Sequence, residues 1–269
     1  MTATAVAGRQ RPSHHTSVSG VAGRLAWRSL VLIPRSPSTF IPSLVFPIFS
    51  VVAFSGAFAG IALIPGFPAK AMIDWVLPMS VVQGCAFAGM TTGLGVARDI
   101  EGGFFDRLLL APVRPIALVL GPLGAAVLRA LMPFAIVLAV GLAAGAHLQG
   151  GLPGVAVLLV AAEGTTLAAA GWAIGLALRF GSMRVAPLMQ TGMFLVIFLS
   201  TAQVPLSIMT GWLHSVARVN PMTNVLALGR QGFIGSVTWP VTWPGLVALG
   251  AGAVLLTTFA LRGLRKAVP

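Results

Sequence analysis

The sequence predicts an all-α polytopic membrane protein with six transmembrane helices. Two observations predict it: six long apolar stretches, and positive charge gathered in the gaps on one side of them. A hydrocarbon core about 30 Å thick needs about 20 apolar residues per helix. The stretches are residues 40–63, 73–96, 121–146, 154–178, 185–204 and 246–261. Only helices and closed barrels satisfy their backbone polar groups in lipid, and these runs are far too long for barrel strands. With 57% hydrophobic and 8% charged residues, the chain is far from the soluble average. Six spans take about half of it and leave no separate soluble domain of ordinary size.

The net charge of +12 would suggest nucleic acid in a soluble protein. Here it flanks the apolar runs, so it reports orientation and no nucleic-acid partner is expected. One side holds Arg9, Arg11, Arg24, Arg28, Arg35, Arg98, Arg107, Arg114, Arg179, Arg184, Arg262, Arg265 and Lys266; the other holds Lys70, Arg218 and Arg230. A split of thirteen to three places both termini in the cytoplasm. The single cysteine, Cys85, lies inside a span, so no intrachain disulfide is expected. The N-terminus shows no basic–apolar–cleavage pattern, and no removable signal is expected.

Residues 1–20 are rich in Ser, Thr, Gly and Pro and are expected to be disordered. Residues 21–269 form one transmembrane domain. Within 21–33, Arg24 and Arg28 share a helical face, with Ala26, Leu30 and Ile33 roughly opposite. This is either a helix lying in the interface or a plain basic flank to the first span. The third and fourth spans are joined by a short Gly-rich turn, the fourth and fifth by a shorter basic one, so these neighbours are antiparallel. Residues 205–244 are too broken by Pro, Gly and polar residues to span. They predict one or two half-inserted outer helices, about 208–217 and 223–233. Trp212, Trp239 and Trp243 suit the membrane–water interface.

The loop after the second span holds three of the five acidic residues, Asp99, Glu101 and Asp106. Gly102 and Gly103 permit a sharp bend. A helix over about 104–110 then stops before Pro112, because the residue preceding a proline avoids the helical region. Phe105, Leu108 and Leu109 form its apolar face, while Asp106 and Arg107 point elsewhere. Such a helix docks in a partner's groove or lies flat on the lipid.

The run EGGFFDRLLLAPVR from Glu101 to Arg114, followed by LVLG at 118–121, resembles the signature of ABC-2-type transporter permeases, daunorubicin-resistance branch. A second match is VPLSIMTGWLHSVARVNPMTN from Val204 to Asn224, then ALGR at 227–230. It is similar to the family's last outer loop, with its Trp-Leu pair, Asn220-Pro221 and the later Arg230. One departure is Leu110-Ala111, where many members place small polar residues.

The resemblance implies a permease of the type V exporter kind, in a bacterial cell membrane. Residues 102–115 would be its cytoplasmic coupling helix, pressed against a separate ABC ATP-binding subunit. Phe105, Leu108 and Leu109 would fill that subunit's groove, Glu101, Asp106 and Arg107 would orient the contact, and Gly102 and Pro112 would bound the helix. ATP and magnesium would sit on the partner, and no cofactor on this chain, which lacks the phosphate-loop pattern. Two ATPase copies and a second permease chain, identical or related, would complete the exporter. Its cargo would be a hydrophobic drug or antibiotic, with a lipid or a polysaccharide or glycolipid precursor as the alternative. A non-transporting scaffold is a further reading, and a membrane enzyme needs a clustered acid–base or metal site that the sequence lacks.

Within the spans, Arg129 lies about 12 Å into the third and Glu163 about 14 Å into the fourth from the opposite side. In a core of about 30 Å their depths differ by about 4 Å, so an ion pair between them is expected. Gln190, Gln203, Met189 and Met193 either line a cargo path or pack the helices together. Gly141/Gly145 and Gly171/Gly175 fit close small-residue packing. Asp74, at the outer mouth of the second span, is expected as a solvated flank charge.

Overall fold

A computed structural model of the chain describes Gly20, Gly23 and residues 37–110 and 115–267. The expectations for residues 1–20 and 21–33, and for Pro112 and Arg114, fall outside the described residues, Gly20 and Gly23 apart. Nine α-helices follow one another among the described residues: α1 (Pro37–Ala57), α2 (Met72–Glu101), α3 (Phe104–Leu109), α4 (Ala117–Ala143), α5 (Gly151–Phe180), α6 (Ala186–Phe198), α7 (Gly211–Val219), α8 (Pro221–Ile234) and α9 (Trp239–Ala267).

Four helical stretches are long and apolar enough to cross a membrane: Met72–Glu101, Ala117–Ala143, Gly151–Phe180 and Trp239–Arg265. Two shorter apolar stretches, Leu44–Ala57 and Met183–Phe198, stand where the first and fifth spans were expected. The first differs because the helix gives way to a 3-10 segment at Ala59–Leu63. The fifth ends at Phe198 rather than 204, because the next residues turn back on themselves: the Ser200 hydroxyl donates to the Ile197 carbonyl. The last helix is longer than expected and takes in Trp239 and Trp243.

The bundle is organised around α2. It is buried nearly all round and packs against α1, α4, α5, α6 and α8. Its 30 residues make a rod of about 45 Å. Contact with α5 depends on glycine: a Cβ at Gly89 would meet the Thr166 carbonyl at 2.5 Å, and one at Gly93 would overlap Ala173. The two backbones therefore meet without side chains between them, as small-residue membrane crossings do. Gly171 and Gly175 receive Leu256 and Phe259 of α9, and Gly141 receives Leu77. Gly145 instead occupies the turn after α4, with φ of 100°.

Arg98, Arg107, Arg179, Arg184, Arg262 and Arg265 share one end of the bundle. Contacts between Glu101 and Met183 and between Gly263 and Leu178 bring their elements together. The opposite end carries Asp74, His147, α7, α8 and the start of α9. There Trp212 and Trp239 are each 70% exposed.

Candidate functional site

At the arginine-rich end, α2 runs straight to Glu101 and the chain then reverses. Gly103 makes the reversal possible with φ of 66°, a region costly for other residues. The short helix α3 follows and packs against α2. Phe105 is buried in its own chain, and Leu108 and Leu109 pack against the same core. Phe105, expected to enter a partner's groove, is thus covered by its own chain, while Leu108 and Leu109 keep part of their surface exposed. The apolar face of α3 is what fastens it to the bundle. The exposed face carries Asp106, Arg107 and, at the tip, Leu110, which is 89% exposed.

Glu101 has a role not foreseen from sequence. Its Oε1 accepts the Ser182 hydroxyl at 2.9 Å and the Met183 N–H at 2.8 Å. The carboxylate thus ties the α2–α3 reversal to the turn between α5 and α6. Ser182 in turn accepts the Arg184 N–H at 3.2 Å and caps the 3-10 turn Met183–Val185 that leads into α6.

The expected Arg129–Glu163 pair does not form. Arg129 Nη1 donates to Thr91 Oγ1 on α2 at 3.1 Å, while both Glu163 oxygens are buried without a hydrogen-bond partner among the described residues. Matched depth was not enough, because the Arg129 guanidinium bonds Thr91 of α2 instead. Between the two, Cys85 Sγ donates to the Ala130 carbonyl at 3.5 Å, and Thr166 Oγ1 donates to the Cys85 carbonyl at 3.1 Å.

On α6, Met189 and Met193 are buried and Ile197 continues their stripe, while Gln190 on the adjoining face is exposed. The two methionines pack this helix onto the bundle. Gln203 lies beyond the end of α6, partly buried. Ser80 and Gln83 on α2 were missed by sequence reading. Both are fully buried, and neither the Ser80 hydroxyl nor the Gln83 amide has a hydrogen-bond partner among the described residues. They share a helical face with Phe87, whose ring meets Phe46 at 6.1 Å and Phe194 at 5.3 Å.

The opposite end is organised by Asn220, Pro221 and Arg230. Asn220 Oδ1 accepts the Met222 N–H at 2.9 Å and caps α8. Pro221 fills the first helical position, where a missing N–H costs nothing. The Asn220 Nδ2 group donates to the carbonyls of Val196 at 2.7 Å and Leu199 at 3.0 Å. One side chain therefore satisfies orphan groups at the start of α8 and the end of α6. Arg230 is 1% exposed. It donates to the carbonyls of Trp75 at 2.9 Å and Ala202 at 2.6 Å and to Thr201 Oγ1 at 3.3 Å. Its guanidinium carbon lies 3.7 Å from the Trp75 ring centre. Carbonyl dipoles and an aromatic face, rather than a carboxylate, hold this charge.

Asp74 corrects another expectation: it is fully buried, not solvated. Its Oδ1 accepts the His147 N–H at 2.7 Å, and Oδ2 lies 3.7 Å from His147 Nδ1. The carboxylate pins the α4–α5 turn onto the first turn of α2, where a helix N-terminus favours negative charge.

These features define a multi-pass helical membrane protein with a short helix at its arginine-rich end. The chain belongs to the ABC-2 type transporter family, whose model matches residues 22–234. It is 26% identical over 259 residues to the daunorubicin resistance ABC transporter permease protein DrrB1 of Streptomyces coeruleorubidus, covering 96% of this chain and 89% of that one. It is also 26% identical over 248 residues to a Pyropia yezoensis protein named "Putative transport permease ycf38", covering 86% and 82%.

Proposed function

We propose that this chain is the permease subunit of an ATP-driven exporter that moves a hydrophobic drug-like cargo out of the cytoplasm or the inner leaflet. The observation that carries this reading is the likeness to a drug-resistance permease along 96% of the chain. The arginine-rich end is cytoplasmic, in keeping with the bias of basic residues toward that side. The chain crosses the bilayer six times, α1 and α6 making the two shorter crossings. Residues 205–244 return to the outer surface as the half-inserted helices α7 and α8.

ATP is hydrolysed by a separate ABC subunit, present in two copies beneath two permease chains. That subunit meets the exposed face of α3, where Leu110 supplies an apolar knob and Asp106 and Arg107 supply complementary charge. Burial of Phe105 makes α3 one body with the end of α2. A push on the exposed tip therefore moves the bundle rather than bending a loose loop. The cargo travels along the α1–α2–α6 face; Ser80 and Gln83, buried behind it without a partner among the described residues, become its polar contacts when these helices separate.

The test is reconstitution of the chain with an ABC ATP-binding subunit in liposomes, followed by uptake of a fluorescent hydrophobic drug into inverted vesicles. Uptake that needs ATP and both subunits is expected. ATP-dependent movement of labelled lipid in place of drug would assign the lipid cargo instead. An absence of ATP-dependent movement of any cargo, in a complex that assembles, would overturn the proposal.

A further inference from the structure

Helix α6 is fastened at both ends by side chains belonging to other elements. At the arginine-rich end the Glu101 carboxylate accepts from Ser182 and Met183, and the 3-10 turn they start passes into α6 at Ala186. At the far end Asn220 donates to the carbonyls of Val196 and Leu199 and caps α8 with the same amide. Arg230 of α8 then grips Ala202 and Thr201, just past the end of α6, together with the Trp75 carbonyl of α2.

Between these ties α6 is lightly held. Its 13 residues make a rod of about 20 Å. One narrow stripe, Met189, Met193 and Ile197, is buried. Leu188, Leu195 and Val196 on the other faces are exposed. Methionine side chains adapt to shifted neighbours, and Phe194 meets Phe46 and Phe87 edge to face. A helix tied firmly at its ends and loosely along its length transmits axial displacement.

We infer that Glu101 and Asn220 make α6 a push rod, carrying displacement of α3 at the docking end to α8 at the tryptophan-bearing end. Glu101 is thereby a positioning residue inside the chain and not a contact to the ATPase. The inference rests on the exporter reading above. Coupling over such a distance needs a contiguous set of physical links: backbone joins α3 to Glu101 and the 3-10 turn to α6, and named hydrogen bonds make the ties at the two ends of α6.

The experiment uses the complete complex of permease and ATPase subunits in lipid nanodiscs. An environment-sensitive fluorophore is placed at Asn224→Cys, an exposed position one turn into α8, with the buried Cys85 left unlabelled. The readout is the fluorescence change on adding ATP and vanadate, paired with transport per ATP hydrolysed in liposomes. With Glu101 intact the label responds. Glu101→Ala shrinks the response and the transport-to-ATP ratio by about fivefold or more, the lower range of functional couplings. Glu101→Gln, whose amide oxygen still accepts both bonds, keeps most of each, and Ser182→Ala falls between. A full response in Glu101→Ala, or equal losses in Glu101→Ala and Glu101→Gln, would overturn the rod. So would a silent label in an otherwise unaltered complex that transports with ATP, an outcome that leaves the exporter reading standing. Loss of ATP-driven transport in that unaltered complex would instead sink the exporter reading and the rod with it.

Discussion

Replacing Asn220 separates two jobs that one amide performs. Its oxygen caps α8 through the Met222 N–H, and its nitrogen closes the end of α6 through Val196 and Leu199. Losing an N-cap costs about 1 kcal/mol, and each neutral hydrogen bond contributes about 1 kcal/mol net. The Val196 bond is exposed and counts for less, so Asn220→Ala should cost about 2 to 3 kcal/mol. For a chain of this size that lowers Tm by about 5 to 10 °C. Asn220→Asp is the sharper variant. It keeps an equally good cap, but it cannot donate, and it sets a carboxylate against two carbonyl oxygens. It should therefore be no more stable than Asn220→Ser. The assay is thermal unfolding in detergent followed by circular dichroism. An Asn220→Asp protein melting within 2 °C of the unaltered one, by the same conversion a loss of about 1 kcal/mol or less, would refute the idea that Asn220 terminates α6.

Other substitutions report on other parts of the fold. Arg230→Met strips three acceptors of their donor, and Arg230→Lys cannot reach all three from one ammonium. Losses of about 1 to 3 kcal/mol for the first and about half that for the second should appear in the same melts. Gly93→Leu forces α2 away from Ala173 and should cut the yield of folded protein, as overpacking by about 1 to 3 kcal/mol does; Gly95→Leu, with open space around it, is the control. Phe105→Ala should destabilise the permease by about 3 kcal/mol. Leu110→Asp should leave the melt unchanged while reducing co-purification with the ATPase subunit. The reverse pattern would return Phe105 to the docking surface. Asp74→Asn keeps an acceptor for the His147 N–H and should melt within about 1 kcal/mol of the unaltered chain, whereas Asp74→Ala loses a charge-assisted bond of about 1.5 to 3 kcal/mol.

The long helices, the glycine reversal and the short helix beyond it were legible because each has a local signal. Apolar length, a Gly-Gly pair and a proline stop all act within a few residues. The outer helix was expected from residue 223, two residues beyond its actual start at Pro221. What could not be read was rotation. A span apolar on every face carries no amphipathic stripe to say which side meets lipid. The burial of Asp74 was therefore misjudged, and Gln83 went unnoticed. The apolar face with Phe105 was legible, but not that the bundle itself covers that ring. The Arg129–Glu163 pair failed because depth constrains one coordinate while side-chain reach supplies another. Glu101 bonds across 82 residues of sequence, and nothing local announces such a contact. One signal was available and unused: Gly89 and Gly93 stand four apart in α2, the spacing that brings two backbones together.

The burial of α2 bears on how the chain is made. Among the four helices long enough to span, it is the least apolar, and it carries Asp74, Pro78, Ser80 and Gln83. Lipid alone rewards its entry poorly, since polar residues near the middle of a span oppose insertion. Protein neighbours take the place of lipid around it. During synthesis α2 should therefore leave the insertion machinery late, retained beside α1 until α4 and α5 emerge to surround it.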